Sequence, residues 1–379
     1  MDLRLSPEQK ALQDDIRALA DNVIAPKAAY HEQNEIFPEE NIRELAKRGY
    51  LGITIPESYG GLGLDAICYS IVSEEVSRAC GSTGITVAAH NALGTQQIWL
   101  MGNEEQKQRF IPQLASGRKL GAWGLTEPSA GSDAGGLLTT AVEDGDEWII
   151  TGSKAFITTG HTGDIFTIMA RTDKGNGPRG ISAFVIEKDT PGFTCGTKEN
   201  KMGLRASVTS ELIFENCRVP KENMLGDRGM GFIGAMKILD SGRIGIGAMA
   251  LGIAQAALDA SIEYAKTRQQ FGKPIGKKQA IAFMLATDAM KIDAARLLIR
   301  RAAWNKDNKL PFTKEASMAK LFASEIGTEV CSNAIQIHGG HGYTTRFPVE
   351  RFYRDIKLCE IGEGTSEVQR IVISRQLGL

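Results

Sequence analysis

At 379 residues, the chain exceeds one average domain, and its length predicts two or three. Its 44 basic and 45 acidic side chains leave a formal charge of −1 with no long run of either sign. That balance excludes a nucleic-acid or membrane surface and leaves small molecules or other proteins as partners. Cys68, Cys80, Cys195, Cys217, Cys331 and Cys359 form no CxxC pair, so neither a zinc site nor a disulfide framework is predicted, and a reducing compartment fits. MDLRLSPEQK has no apolar signal core, and no stretch reaches the ~18 uninterrupted apolar residues of a spanning helix. A soluble intracellular protein is expected.

Ser6-Pro7-Glu8-Gln9 reads as an N-cap, a proline at the first helical position and a capping-box glutamine, followed by Leu12, Ile16 and Leu19 at helical spacing. That helix is predicted to end before Pro26. A second spans 38–49 with Ile42 and Leu45 inward, and a loop containing Gly60, Gly61 and Gly63 covers 56–65. Helical patterns return over 67–78, 88–101 and 103–116, the last opened by Asn103 and Gln106 at capping-box spacing. The first domain, 1–118, is thus predicted to be helical. Within 119–226 the period changes: 147–151, 165–170, 181–187 and 211–214 are rich in Ile, Val, Phe and Thr, predicting strands of a small barrel or sandwich. Across 227–379 the segments 232–268, 277–306 and 314–338, separated by short breaks, predict an antiparallel helix bundle. The fold class is α+β, in three domains.

Several stretches can carry chemistry. The loop WGLTEPSAGSD at 123–133 offers amides and the hydroxyls of Thr126 and Ser132 to a cofactor ring and a phosphate, and equally fits an ordinary inter-domain loop. Phe156-Ile157-Thr158-Thr159 sets an aromatic before hydroxyls at a strand, a pattern that plain packing also produces. Arg268 and Phe271 in RQQFG suit a phosphate and a stacked base, although a helix C-terminus favours a cation in any case. The histidine spacing in HGGHG at 338–342 is not of the HExxH type, and a glycine turn approached by a ligand is a better reading than a metal site. Glu363 lies between Gly362 and Gly364, where backbone can bend sharply toward a ligand; Thr365 or Ser366 equally fits the cap of a last helix through Val368, Ile371 and Val372. GxGxxG after a strand, the P-loop pattern and GxSxG are all missing, which removes Rossmann, P-loop and nucleophile-elbow readings.

Seven blocks carry a wider likeness: GLTEPSAGSD, SKAFITTG, KMGLRASVTSELIFENCRVP, LDSGRIGIGAMALGIAQAALD, RQQFGKPI, AIQIHGGHGYTTRFPVERFYRD and EGTSEVQR. In this order they make the chain resemble the acyl-CoA dehydrogenase family over nearly its whole length. The resemblance implies an N-terminal helical domain, a central β domain and a C-terminal four-helix bundle, assembled as a homotetramer with FAD bound between subunits. It implies oxidation of an acyl-CoA thioester to the α,β-enoyl-CoA, with electrons passed to electron-transferring flavoprotein. The cytoplasm of a bacterium is the expected location, or the mitochondrial matrix after removal of a transit peptide. An acyl-CoA oxidase, which lets oxygen reach the reduced flavin, and a non-catalytic FAD-binding scaffold are the alternatives on the same fold.

The resemblance also assigns residues. Glu363 of the EGT motif is the implied base for the α-proton, because the family's other base position, directly before the arginine of the first long bundle helix, is Gly242 here, before Arg243. A thioester α-proton is far less acidic than any side chain, so its removal needs a well-placed base and a stabilised enolate oxygen. The implied enolate donors are an FAD ribityl hydroxyl and the Glu363 amide, and burial is expected to strengthen the base. Trp123, Leu125, Thr126, Gly131 and Ser132 fall at family FAD positions, with Thr158 near the flavin ring and Phe156 replacing a common tryptophan. Arg268, Phe271, Gln279, Gln336, Gly340, Thr365 and Glu367 fall where the bundle or a neighbouring subunit holds the ADP half. Asp240 and Arg243 match the CoA-contacting pair, and Ser132, Gly362 and Gly364 are implied substrate neighbours. Gly362 stands where many straight-chain members carry tyrosine, implying an acyl pocket open to short branched or alicyclic groups, with short linear chains still admitted.

Overall fold

Helix α1 (Pro7–Leu19) opens the fold with the predicted capping box: Ser6 and Gln9 exchange side-chain and backbone hydrogen bonds, and Ile16 and Leu19 are buried. The computed structural model describes residues 4–379; Met1 to Leu3, part of the stretch predicted to lack a signal core, lie outside the described residues. The chain does not leave the helix before Pro26. A π-helical turn at Ala20–Ile24 runs on into α2 (Ala25–Asn34), with the Ala25 N–H donating to Ala20 and Pro26 in the first turn beyond. There the missing proline N–H costs little, because the wider turn has already interrupted the regular ladder. Helix α3 (Glu39–Lys47) buries Ile42 and Leu45, and Asp65 caps α4 (Ala66–Ala79). Helix α5 (Gly81–Ala89) passes through a second π turn, His90–Thr95, into α6 (Gln96–Met101), and Asn103 and Gln106 form the predicted box at the start of α7 (Glu104–Ala115).

The β domain holds β1 (Gly121–Gly124), β2 (Thr140–Asp144), β3 (Glu147–Thr158), β4 (Ile165–Arg171), β5 (Ile181–Glu187), β6 (Phe193–Lys198), β7 (Thr209–Pro220) and β8 (Met224–Leu225). They form one mixed sheet in the order β6-β7-β3-β2-β4-β5-β8, with β1 parallel beside β4. Its halves join at a single parallel pairing, Thr140 with Arg171. Phe166 on β4 nevertheless packs edge-on against Phe193 on β6, with ring centroids 4.7 Å apart. Strands that far apart in the order touch only if the sheet closes over its own aromatic core, as predicted for a barrel or sandwich. Strands β1, β2, β6 and β8 went unpredicted because they are short, glycine-containing or polar on one face. Trp123 and Gly124, read above as the start of a loop, belong to β1.

Helix α8 (Gly231–Thr267) leads through a hairpin of β9 (Gln269–Gln270) and β10 (Lys273–Pro274) to α9 (Gln279–Asp307) and α10 (Thr313–His338). Three short helices finish the chain, α11 (Val349–Ile356), α12 (Leu358–Ile361) and α13 (Ser366–Gln376). Helix α8 has the length and mean hydropathy, 1.4, of a membrane span, yet 83% of that apolar window is buried inside the protein. It is the core helix against which α4, α9 and α10 pack.

One buried polar junction ties the three regions together. Glu32 on α2 accepts from the Arg354 guanidinium of α11 at 2.5 Å and from the Arg205 N–H of the β domain at 2.9 Å. Beside it, Asp355 accepts the Leu204 N–H at 2.6 Å. Burial, with Glu32 nearby, pushes the Asp355 carboxyl up to about 7. Removing one partner of such a pair strands the other charge in a low-dielectric setting. Arg354→Met is therefore expected to destabilise the protein by about 3 kcal/mol, read as a lowered thermal midpoint. Arg370→Met, at the exposed pair with Glu325, is expected to cost under about 1 kcal/mol.

Candidate active site

The turn between α12 and α13 carries Glu363. Its backbone is left-handed, at φ 54°, and Gly364 follows at φ 94°. Gly362 is ordinary extended backbone, φ −67° and ψ 150°, so the bend expected from two flanking glycines is made by Glu363 and Gly364 alone. A non-glycine residue held left-handed costs about 1 kcal/mol or more and persists only where its surroundings fix it. Here Gln369, fully buried, donates to the Glu363 carbonyl at 3.3 Å and to the Gly364 carbonyl at 2.8 Å, and Lys320 donates to Gly364 at 2.7 Å. Thr365 caps α13 by accepting the Val368 N–H at 3.3 Å. The helix cap and the shaped carboxylate turn are therefore both present.

The Glu363 carboxylate points at α8. Its Oε2 is sealed from solvent without a hydrogen-bond partner among the described residues, although the residue as a whole is only half-buried. A Cβ built on Gly242 would lie 1.9 Å from that oxygen. Glycine at 242 is the room the carboxylate occupies, so side chains from 242 and 363 would compete for one volume. Burial pushes the Glu363 carboxyl up to about 7, against the opposing pull of Lys320 and Arg243. Arg243 donates to Asp240 at 2.5 Å, leaving its buried Nε unpartnered, and Asp240 also accepts from Thr313 at 2.6 Å. Buried Tyr69 on α4 and Leu93 on the second π turn close the same corner: the negative charge of Glu363 adds to the burial that raises the Tyr69 hydroxyl, and Leu93 comes within 3.2 Å of the built Cβ.

Lys320, Gln369, Tyr69 and Leu93 escaped the sequence reading. Lys320 left a signal: it shares its stretch of α10 with buried Ala316, Ala319 and Ala323, and a lysine at helical spacing among core alanines demands a buried partner. Gln369 lay within the EGTSEVQR block. Tyr69 and Leu93 come to the site only through tertiary packing.

The predicted cofactor residues form separate groups. On the β domain, the Ala155 N–H donates to the Thr126 carbonyl at 2.9 Å and lays the loop alongside Phe156. Beneath it a buried pair, Lys154 with Glu127 at 2.6 Å, pins both ends: Lys154 reaches the Leu125 carbonyl, and Glu127 accepts the N–H groups of Leu138 and Thr139. Trp123 donates to Gln97, Leu125 is buried, and a Cβ on Gly131 would meet nothing within 4 Å. Phe156 is 64% exposed at φ 59°, and the hydroxyls of Thr126, Ser132 and Thr158 have no partner among the described residues.

Phe271 caps the β9–β10 hairpin at φ 51° and 91% exposure. It borders a cleft of about 390 Å³ with Gln270, Ile275, Lys278, Ile281 and Ile337. Arg268 and Gln279 flank the hairpin in sequence and Gln336 adjoins Ile337; these and Gly340 are exposed. No hydrogen bond or ion pair among the described residues joins this group to the β-domain loop. Thr365 and Glu367 sit with Glu363 instead. His338 and His341 pack in an aromatic cluster with Tyr264 and Phe347. A second cleft, of about 590 Å³, runs between the β domain and α8, lined by Asn176, Arg179, Phe232, Met236, Lys237 and Asp240.

Three family descriptions match along the chain: acyl-CoA dehydrogenase N-terminal domain at 6–118, middle domain at 122–217 and C-terminal domain at 229–378. The chain belongs to the acyl-CoA dehydrogenase family. It is 50% identical over 378 residues to a probable acyl-CoA dehydrogenase of Bacillus subtilis, and 48% identical over 377 residues to a short-chain specific acyl-CoA dehydrogenase of Clostridium acetobutylicum, covering 100% of both chains in each case. Its structure superposes on butyryl-CoA dehydrogenase from Megasphaera elsdenii with a TM-score of 0.98, at 44% identity and 100% coverage of both chains. It also superposes on a glutaryl-CoA dehydrogenase from Mycobacterium smegmatis in complex with FADH2, with a TM-score of 0.93, 30% identity and coverage of 98% and 95%. The protein is an acyl-CoA dehydrogenase.

The space at 242 gives a direct test. Gly242→Ala is expected to displace the Glu363 carboxylate and lower kcat about a hundredfold, since a misplacement near 1 Å has that order of effect. The thermal midpoint is expected to stay within a few degrees, for the change adds one methyl group; an unaltered kcat would show that the carboxylate does not need this space.

Proposed function

We propose that the chain catalyses FAD-dependent α,β-dehydrogenation of a short-chain, branched or alicyclic acyl-CoA, with Glu363 as the base. The observation that carries the reading is the Glu363 carboxylate itself, desolvated, without a donor on Oε2 and raised to about 7. A general base is strongest in use when its pKa approaches the working pH. The Glu363 N–H also meets no acceptor among the described residues, which leaves a donor free for the thioester carbonyl as the enolate forms. Glu363 would then take the α-proton while its own amide holds the developing oxyanion.

The residues present fit FAD. The unpartnered hydroxyls of Thr126 and Thr158 near exposed Phe156, with that of Ser132 farther along the Thr126 loop, match a polar aromatic ring system, and Arg268 with exposed Phe271 matches a diphosphate and an adenine. When bound, FAD supplies the acceptor for the hydride leaving the β-carbon. The cleft beside Asp240, with Arg179 and Lys237 on its walls, suits the anionic CoA portion of the substrate. A homotetramer is supported by α9, whose Phe283, Met290 and Leu297 stand exposed at seven-residue steps, and electron-transferring flavoprotein is the proposed acceptor.

The acyl preference rests on Gly362. The three atoms nearest a Cβ there all belong to Leu358, at 3.5 Å or more, and the backbone admits any residue. Its glycine therefore answers to space beside it and not to conformation. Measured kcat/KM values for isobutyryl-, 2-methylbutyryl- and cyclohexanecarboxyl-CoA are expected to equal or exceed that for butyryl-CoA. A strong preference for butyryl-CoA would refute the branched or alicyclic assignment.

Glu363→Gln is expected to retain FAD and CoA binding yet fail to bleach the flavin in an anaerobic acyl-CoA titration. In the native enzyme the base works only when ionised, so kcat/KM is expected to fall as pH drops through about 7. Full turnover by Glu363→Gln would end the assignment.

A further inference from the structure

Lys320 is fully buried on α10, and its Nζ donates to the Gly364 carbonyl at 2.7 Å. An ammonium has three N–H donors, and burying one with a single partner is costly. The place where this one is spent is the turn that aims Glu363. The charged and titratable groups around the pair come from several elements: Tyr69 on α4, Arg243 on α8, Cys359 and Glu360 on α12, and Glu367 on α13, which is exposed and bonded to Thr365.

Each of these neighbours is otherwise disposed. Glu360 accepts from Thr328 and from Lys357 at 2.7 Å. Burial raises the Cys359 thiol to about 12 and raises the Tyr69 hydroxyl as well, so both stay neutral. Arg243 is paired with Asp240. Lys320 has no ion-pair partner within 4.0 Å among the described residues, and Glu363 has none either. The two share one turn and one solvent-free corner.

We propose that Lys320 is a positioning residue for the base: through the Gly364 carbonyl it helps Gln369 hold the left-handed turn, and its ammonium favours the ionised Glu363 carboxylate beside the sealed Oε2. This inference rests on Glu363 being the base. In support, Lys320 opposes the burial that raises Glu363, and is itself brought by burial to about 8. Loss of the ammonium removes the larger of two favourable charges acting on the carboxylate, so Glu363 would bind its proton more tightly and be ionised only at higher pH. Loss of the hydrogen bond would leave Gln369 alone to hold the strained turn.

The test compares Lys320→Met, Lys320→Gln and Lys320→Arg with the native holoenzyme and with Glu363→Gln, recording flavin content, kcat, KM and the pH dependence of kcat/KM. Both neutral variants are expected to lose about tenfold or more in kcat at neutral pH with little change in KM, and their acid limb is expected to move upward by about half a unit or more. Lys320→Arg is expected to keep the limb near its native position. A folded, flavin-containing neutral variant with an unmoved limb overturns the proposal; so does failure of both neutral variants to fold, which would make Lys320 a folding residue. If Glu363→Gln itself turns over, the base assignment fails. If Glu363→Gln is inactive while the limb stays put, only the role of Lys320 fails.

Discussion

A carboxylate with one oxygen sealed from solvent is the constraint around which this molecule is arranged. Leaving an ionisable group sealed at Oε2 raises its free energy, and the surrounding chain compensates without neutralising it. Arg243 and Lys320 stand near enough to favour the ionised form, yet neither makes an ion pair with it. A direct pair would pull the carboxyl back toward its ordinary range and weaken it in the proposed role of base. The helix bundle thus provides attraction at a distance and shape at close range.

That arrangement draws on every part of the chain. Tyr69 comes from the helical domain, Leu93 from a π turn, Gly242 and Arg243 from the long core helix, and Lys320 and Gln369 from later helices. The π turn is a local departure from helix geometry that reaches a functional corner, as such turns often do. The buried junction of Glu32, Arg354 and Asp355 keeps the three regions in register, so the corner is a property of the assembled chain and not of one element.

Much of the fold was legible because its signals are local. Capping boxes at Ser6 and Asn103 and apolar spacing along the long helices need no tertiary knowledge. Pro26 misled because a π turn relieves the usual proline penalty, and β1 was hidden by its glycines. At the site, Glu363 stood out by its motif, and Gly242 drew attention only as the lack of a second base. Its physical meaning, room for an oxygen, is a relation between residues 121 positions apart. Lys320 is a partial case: its spacing among alanines on α10 points inward, but only packing shows that its partner is the Gly364 carbonyl.

Gly242 also bears on how a catalytic group can migrate within a fold. A carboxylate cannot be added at 242 while the one at 363 remains, since even the first carbon of a side chain would intrude on it. Moving the proposed base between the α12–α13 turn and helix α8 therefore requires the two positions to change together. A side chain at 242 is compatible with the present placement of the 363 carboxylate only if that carboxylate swings aside. Glycine at 242 and glutamate at 363 thus form one unit, in which the absence of a side chain on one helix sets where an oxygen from another element can lie.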